Sequence, residues 1–316
     1  MNQSHTPTAS WTLVMTGATR GLGLVAARST VSTDPSCQLV VLARGGGPAG
    51  FVDGFGAGAE RVVVVDADLA DTASTVAAAA RIRRMLDDTA LPPLRGLAGN
   101  AGVQFVDDHQ AGADGLEATF AVNVFANHLL IGELGGHLTR GSRIIITVSD
   151  THFGDFRHNL GMVPAPQWTT PARLSRPGAF GGASPSAGRT AYSTSKLAAI
   201  HLVHEWARRL PDGVEIVSYN PGYVPGTDLA REASALQRWM NKWVLPGLAL
   251  VSPLDRVPTA GRRLASAILG APQADTGAYV DRGRVSDSSA ESHDPEREHD
   301  LWDHLEELRS EISQRQ

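Results

Sequence analysis

An apolar segment, "WTLVMT" (Trp11–Thr16), runs directly into "GATRGLG" and then into a helix-like stretch. No other feature constrains the fold as much. Glycines at 17, 21 and 23 allow a tight turn and bring backbone N–H groups close to an anion at a helix N-terminus. A purely structural turn would use the same glycines, so the surroundings decide. Those surroundings alternate. "CQLVVLA" (Cys37–Ala43), "RVVVVDA" (Arg61–Ala67), "LRGLAG" (Leu94–Gly99), "SRIIITVS" (Ser142–Ser149) and "VEIVSYN" (Val214–Asn220) read as buried strands, and "GAYVD" (Gly277–Asp281) as a weaker seventh. Helix-like stretches at Gly21–Thr30, Thr72–Asp87, Gly115–Leu138 and Tyr192–Leu210 fall between them. Nearly continuous apolar strands separated by helices predict a parallel sheet covered on both faces. Right-handed crossovers then give an α/β, doubly wound sheet of about seven strands.

Composition narrows the function classes. A net charge of −5 over 316 residues argues against nucleic-acid or anionic-membrane partners. The single cysteine, Cys37, can build neither an intrachain disulfide nor a thiolate zinc cluster, and the 11 histidines show no HExxH-like spacing. No metal is expected. The N-terminal "MNQSHTPTAS" lacks the regions of a signal peptide. No run reaches the roughly 18 apolar residues of a spanning helix. A cytoplasmic location is the expectation.

Tyr192 and Lys196 stand four residues apart at the start of an apolar-periodic stretch. On a helix they share a face. An ammonium beside a phenol favours the phenolate and lowers the tyrosine pKa, which makes a general acid/base usable near neutral pH. A half-buried tyrosine beside a snorkelling lysine would leave the same pattern.

Five motifs now stand in order: "TGATRGLG" (Thr16–Gly23), "NAG" (Asn100–Gly102), Ser149 at the end of the fifth strand, Tyr192 with Lys196, and "NPG" (Asn220–Gly222). In that order and spacing the chain resembles the short-chain dehydrogenase/reductase family. The resemblance implies a Rossmann-type fold and an NADP(H) cofactor. It assigns Thr16, Gly17, Thr19, Arg20, Gly21, Leu22 and Gly23 to the phosphate loop, and Asp68 with Leu69 to the adenine. Asn100, Ala101 and Gly102 would border the cofactor ribose, while Pro221, Gly222, Val224 and Thr227 would orient the nicotinamide amide. Tyr192 would exchange a proton with a substrate oxygen. Lys196 would hold the nicotinamide ribose, Ser149 would bind the substrate oxygen, and Asn123 would hold a water in a proton relay. The serine position has a second register, since Asp150 follows directly and Val148 replaces one of the small residues usual there.

The second strand ends in Ala43 and Arg44, where an NAD enzyme would place an acid on the ribose 2′-hydroxyl. With no acid at that position, and with Arg44 and Arg20 able to pair with a 2′-phosphate, NADP is the expected cofactor. Tyr192 follows Ser149 by 43 positions, an insertion resembling those of carbonyl reductases, retinol dehydrogenases and protochlorophyllide reductases. The implied organisation is a single family domain over 1–285, with an insertion at 150–187 near the active site and a substrate-lid helix at 228–250. A polar, mobile linker and C-terminal helix follow at 286–316. Phe153, Phe156, Met162 and Trp168 in the insertion are available to an apolar substrate. Ser193 and Ser195 read as helix-start residues.

The expected activity is NADP(H)-dependent interconversion of a ketone or aldehyde and an alcohol on a bulky hydrophobic small molecule, as a ketoreductase in specialised metabolism. An epimerase, dehydratase or cyclase using the same tyrosine is the alternative, followed by an NADP-sensing protein. Monomer and homo-oligomer are both open from the sequence.

Overall fold

The structure, a computed structural model, describes residues 9–159, 161–224 and 256–315. Among them, eight strands form one sheet in the order β3-β2-β1-β4-β5-β6-β7-β8. These are β1 (Trp11–Thr16), β2 (Cys37–Ala43), β3 (Val62–Asp66), β4 (Leu94–Gly99), β5 (Arg143–Thr147), β6 (Glu215–Asn220), β7 (Tyr279–Asp281) and β8 (Arg284–Ser286). All pairings are parallel except β7 with β8. The predicted doubly wound sheet is present with one strand more than expected. β8 is exposed along its length and hangs on a two-residue turn in which Arg282 (φ 48°) and Gly283 (φ 86°) are both left-handed. Such a turn matches the twist of a hairpin. Its first residue is an arginine rather than the usual Asn, Asp or Gly, so the hairpin carries no local sequence signal.

The major helices are α1 (Gly21–Thr33), α2 (Thr72–Asp87), α3 (Ala118–Phe120, a π turn Ala121–Phe125, then Ala126–Leu134), α4 (Pro185–Arg209), α5 (Val257–Ile268) and α6 (Pro295–Arg315). One core lies on the sheet face covered by α2, α3, α4 and α6, and includes Val14, Ile82, Leu130, Ile146 and Leu202. The other lies under α1 and α5, and includes Leu13, Met15, Val41, Ile145 and Leu264. Alternate residues of β1 and β5 thus feed opposite faces, as a sheet buried on both sides requires. At Gly261 a Cβ would sit 2.5 Å from Val25 Cβ, which is why α5 approaches α1 so closely.

One helix boundary and one linker differ from expectation in ways that matter for the site. α4 starts at Pro185, where the Ser184 side chain accepts a hydrogen bond from Ala187 N. The serine cap and the N1 proline are hidden in a Gly/Pro/Ser-rich stretch. Tyr192 and Lys196 therefore stand inside the helix, not at its start. The segment before α6 is packed rather than mobile: Ser288, Ser289 and Ser292 are buried. α6 lies along α4 through Glu298, which receives Arg208 Nη2 at 2.6 Å and approaches His204 Nδ1 at 2.6 Å. It reaches α3 through His128–Glu306 (2.8 Å) and Arg309–Glu133 (3.2 Å).

The insertion is tied down by backbone contacts. Phe180 N donates to the buried Asp108 carboxylate (2.6 Å), Gln167 N to Thr194 Oγ1 (3.0 Å), and Arg189 to Met162 O (3.0 Å). Trp168 packs edge-on against His201, and Phe153 stacks on His158 and meets Tyr279. Both are engaged with the protein body. Of the four apolar residues offered to a substrate, Phe156 is exposed and Met162 half-buried. The lid helix at 228–250 and Thr227 lie outside the described residues.

Candidate active site

The ends of β1, β2, β3, β4, β5 and β6 carry Thr16, Arg44, Asp68, Asn100, Ser149 and Pro221, directly or within a few residues. β1 pairs with β2 on one side and β4 on the other, so the crossovers diverge there and open a crevice at the strands' carboxyl ends. The glycine loop closes over this point. Gly17 (φ 66°) passes the β4 loop so closely that a Cβ would fall 2.7 Å from Ala101 Cα. At Gly23 a Cβ would fall 2.0 Å from Gly17 O. Asn100 Nδ2 donates to Gly17 O (3.1 Å), and Ala101 N donates to Thr16 Oγ1 (3.0 Å). The Asn100–Gly102 loop is thereby stitched to the glycine loop.

The N-terminus of α1 has no side-chain cap and no acid in its first turn, and the space beside Gly21 (φ 55°) is open. Thr19 and Leu22 are half-buried around it, and Arg20 is exposed at its edge. Uncapped amides of this kind bind anions. Beyond β2, Arg44 opens a short turn whose Gly45 N donates to Asp66 Oδ1 at 2.6 Å. The Arg44 guanidinium lies 3.8 Å from Asp68 Oδ2, both groups well exposed. The end of β2 lacks an acid, as the sequence indicates, but the fold brings two carboxylates from β3 and its following loop to the same corner. Leu69 packs on the core beside them. Pro221 and Val224 are buried beyond β6, where Gly222 (φ 77°) donates its N–H to Asn220 Oδ1 (3.0 Å).

The expected catalytic residues Ser149, Tyr192 and Lys196 lie between β5 and α4. Tyr192 and Lys196 are buried at 7% and 3% exposure. The Ser149 side chain stands beside the Tyr192 hydroxyl and favours its ionised form. Lys196 Nζ donates to Thr147 O (2.9 Å) and lies 5.5 Å from the Tyr192 ring centroid. Thr147 Oγ1 donates to Asn100 Oδ1 (3.2 Å), which joins this centre to the glycine-loop network. Burial pushes the Tyr192 phenol up to about 12, with Asp150 adding to the rise and Ser149 opposing it. Burial also brings the Lys196 ammonium down to about 8. The expected lowering of Tyr192 by Lys196 is thus outweighed by desolvation, which favours the neutral form of each group.

Asn123 sits in the π turn of α3. Its amide donates to Val103 O (3.0 Å) and Ser195 Oγ (2.9 Å), and Oδ1 accepts from Val103 N (2.9 Å). Ser195 Oγ in turn donates to Tyr192 O (2.7 Å). Ser195 is therefore a mid-helix link from Asn123 to the tyrosine backbone, not a helix-start residue. The extra residue of a π turn is a common device for aiming one side chain. His152, to which the sequence assigns no role, packs against the Ser149 backbone. It is 1% exposed, with Nδ1 2.6 Å from Ser149 O and Nε2 accepting from Ser289 N at 3.2 Å. Only its long-range partner, 137 positions away, reveals it.

Among the described residues, no group of three or more His, Cys, Asp or Glu side chains is placed to hold a metal. No helix among them is long and apolar enough to cross a membrane.

Residues 12–159 match the model of the short chain dehydrogenase family. A candidate daunorubicin C-13 ketoreductase of Streptomyces sp. (strain C5) is 32% identical over 225 residues, covering 67% of this chain and 66% of that protein, just under two thirds of its length. Protochlorophyllide reductase B of Oryza sativa subsp. japonica is 29% identical over an alignment covering 94% of this chain and 77% of its own length. The fold matches that of NADPH-bound carbonyl reductase from chicken fatty liver with a TM-score of 0.58, at 18% identity, over 88% of this chain and 98% of that one. With the motif order held on one sheet edge and these matches, the chain belongs to the short-chain dehydrogenase/reductase family.

Proposed function

We propose that this protein is an NADP(H)-dependent oxidoreductase that interconverts a ketone or aldehyde and an alcohol on a bulky hydrophobic small molecule, acting as a ketoreductase in specialised metabolism. The observation that carries the reading is the trio at the β5–α4 junction: half-buried Ser149 beside the hydroxyl of buried Tyr192, with buried Lys196 Nζ 5.5 Å from the tyrosine ring centroid. The name of the Streptomyces relative supports the reaction class and the setting. The NADPH in the chicken structure supports the cofactor.

The crevice fits a dinucleotide. The uncapped α1 N-terminus and the open space beside Gly21 would take the pyrophosphate. Arg20 and Arg44 would take the 2′-phosphate, with Asp68 as the counter-charge that Arg44 exchanges for it. Asp68 and Leu69 would border the adenine, and Asn100, Ala101 and Gly102 the ribose. Pro221, Gly222, Val224 and Thr227 would face the nicotinamide amide. A bound reduced nicotinamide supplies hydride to the carbonyl carbon.

The chain's own residues handle the proton. Tyr192 keeps its proton at neutral pH because burial disfavours the phenolate. It can therefore give that proton to a carbonyl oxygen as negative charge develops there. Ser149 presents a second donor to the same oxygen. Lys196 holds its charge against Thr147 O, and in the oxidising direction that charge offsets the phenolate. Asn123 fixes the Tyr192 turn through Ser195.

The test is NADPH oxidation followed by absorbance against bulky ketones, quinones and aldehydes, with NADH in parallel and products identified. Stoichiometric alcohol formation, faster with NADPH, supports the reading. Tight NADPH binding with an epimerised or dehydrated product and no net cofactor consumption replaces it with the non-redox alternative.

A further inference from the structure

The residue after the serine is a carboxylic acid, and the fold turns it toward the proton-transfer centre. Ser149 Oγ donates to Asp150 Oδ1 at 3.4 Å, and the same serine stands beside the Tyr192 hydroxyl, whose ionisation it favours. The charged and titratable groups facing Asp150 among the described residues come from four directions. Tyr192 lies on α4, Tyr279 and Asp281 on β7, Arg282 on the hairpin turn, and His158 on the insertion.

Among the described residues, Arg282 and His158 are the cationic groups that favour an ionised Asp150, and Arg282 also pairs with Asp281. Its Nε lies 3.1 Å from Asp281 Oδ1 and its Nη2 2.9 Å from Asp281 Oδ2. Asp281 also accepts from Asn220 Nδ2 (3.0 Å). Asp150 therefore borders a nearly neutral ion pair and has Ser149 as its side-chain hydrogen-bond partner. Burial raises its pKa above the usual carboxylate value, Asp281 adds to the rise, and Arg282, Ser149 and His158 oppose it.

A serine hydroxyl has one proton and two acceptor sites. An ionised Asp150 can only accept, so it draws the Ser149 proton and leaves Ser149 Oγ to accept from Tyr192. A protonated Asp150 can donate to Ser149 Oγ, which frees the serine proton to point at a substrate oxygen. We propose that Asp150 is a positioning residue whose protonation state sets the direction of the Ser149 hydroxyl, and with it how many donors the site offers a carbonyl oxygen. The protonated form presents both Tyr192 and Ser149 to a carbonyl, and the ionised form turns the serine inward. This rests on the carbonyl-reducing reading for its consequence, but not for the Asp150–Ser149–Tyr192 coupling itself.

The coupling is tested in the full chain without turnover. The Asp150 signal in [γ-13C]aspartate-labelled protein is assigned by its loss in Asp150→Asn and titrated by NMR. Ser149→Ala removes the donor that favours the ionised form, so the Asp150 midpoint should rise by roughly half a pH unit or more. A midpoint unchanged by Ser149→Ala overturns the proposal. With NADPH and a reducible carbonyl, wild-type kcat/KM should fall up to about tenfold per pH unit above that midpoint. Asp150→Asn, whose amide donates to Ser149 at every pH, should stay level across the same range. Parallel wild-type and Asp150→Asn profiles also overturn it. If no carbonyl on the panel is reduced, the proposed activity fails, and the carboxyl titration still decides the coupling.

Discussion

His152 offers a sharp test of how the serine loop is held. Ser149 O can only accept, so the proton of a neutral imidazole must sit on Nδ1, 2.6 Å away. Ser289 N–H can only donate, so Nε2 must be bare to receive it at 3.2 Å. The neutral ring satisfies both, and a protonated ring would turn Nε2–H against another donor. Burial accordingly brings the His152 pKa from 6.5 down to about 4. The sign follows directly. Below 6.5 the unfolded chain takes a proton that the folded one refuses, so the stability associated with His152 is complete above pH 6.5 and drains as pH falls toward 4. The difference between 6.5 and about 4 is worth about 3 kcal/mol.

The perturbation is His152→Asn, whose amide can still donate to Ser149 O but does not titrate. Urea unfolding of both proteins at pH 7.5, 6.5, 5.5 and 4.5 (about the working range) isolates the His152 contribution. Every other titrating group, including buried His128 and half-buried His204, is common to both chains and largely cancels. At neutral pH the variant should be less stable by about 1–2 kcal/mol for the lost Ser289 bond and poorer packing. That gap should close by about 3 kcal/mol on acidification and change sign near pH 5.5. A gap that stays constant with pH would falsify the assigned tautomer and the buried neutral ring together.

Three further substitutions read separate parts of the crevice. Gly23→Ala puts a methyl 2.0 Å from Gly17 O, so the chain should fold with a displaced phosphate loop and lose most NADPH affinity by fluorescence titration; undiminished binding contradicts the loop contact. Tyr192→Phe should keep NADPH affinity while kcat falls about 100- to 10,000-fold, and wild-type turnover would remove the tyrosine as donor. Arg44→Ala should weaken NADPH about tenfold or more while leaving NADH within about twofold, a 2′-phosphate contact being worth roughly 1.5–3 kcal/mol; equal loss for both cofactors would assign Arg44 to loop structure instead.

The part of this architecture legible in the sequence is the part written in local pattern. β1, β2, β4 and α2 run as their apolar runs and caps indicate, because a strand buried on both faces leaves an unbroken hydrophobic signature. The loop motifs come together because each follows a strand end and the sheet gathers those ends along one edge, while Tyr192 and Lys196 reach the same edge from inside α4. What escaped reading was decided by contacts distant in sequence. The hairpin to β8 turns on an arginine whose left-handed backbone no local rule favours, and its side chain binds Asp281. Ser195 joins Asn123 only because α3 and α4 pack together. The corner beyond β2 holds no acid in its own strand, yet Asp66 and Asp68 arrive from β3 and the loop after it.

The tyrosine–lysine pair shows the same limit in its energetics. Helical spacing correctly puts an ammonium below a phenol, and by charge alone the phenol should ionise more easily. The spacing does not reveal that both groups are almost wholly buried, with the ammonium held by Thr147 O and the hydroxyl beside Ser149. In such a site desolvation acts on every ionisable member at once, raising Tyr192 and Asp150 and lowering Lys196. All three are driven toward neutrality. A phenol that retains its proton is a competent acid at any pH the fold tolerates, so Tyr192 itself should impose no alkaline limit on carbonyl reduction below about 12. A decline near neutral or mildly alkaline pH must then come from its neighbours. Lys196→Arg keeps a positive charge through that range, and Asp150→Asn removes the titrating carboxyl. The variant that abolishes the decline identifies the group responsible, and a decline surviving in both would return the titration to Tyr192 and contradict the dominance of burial.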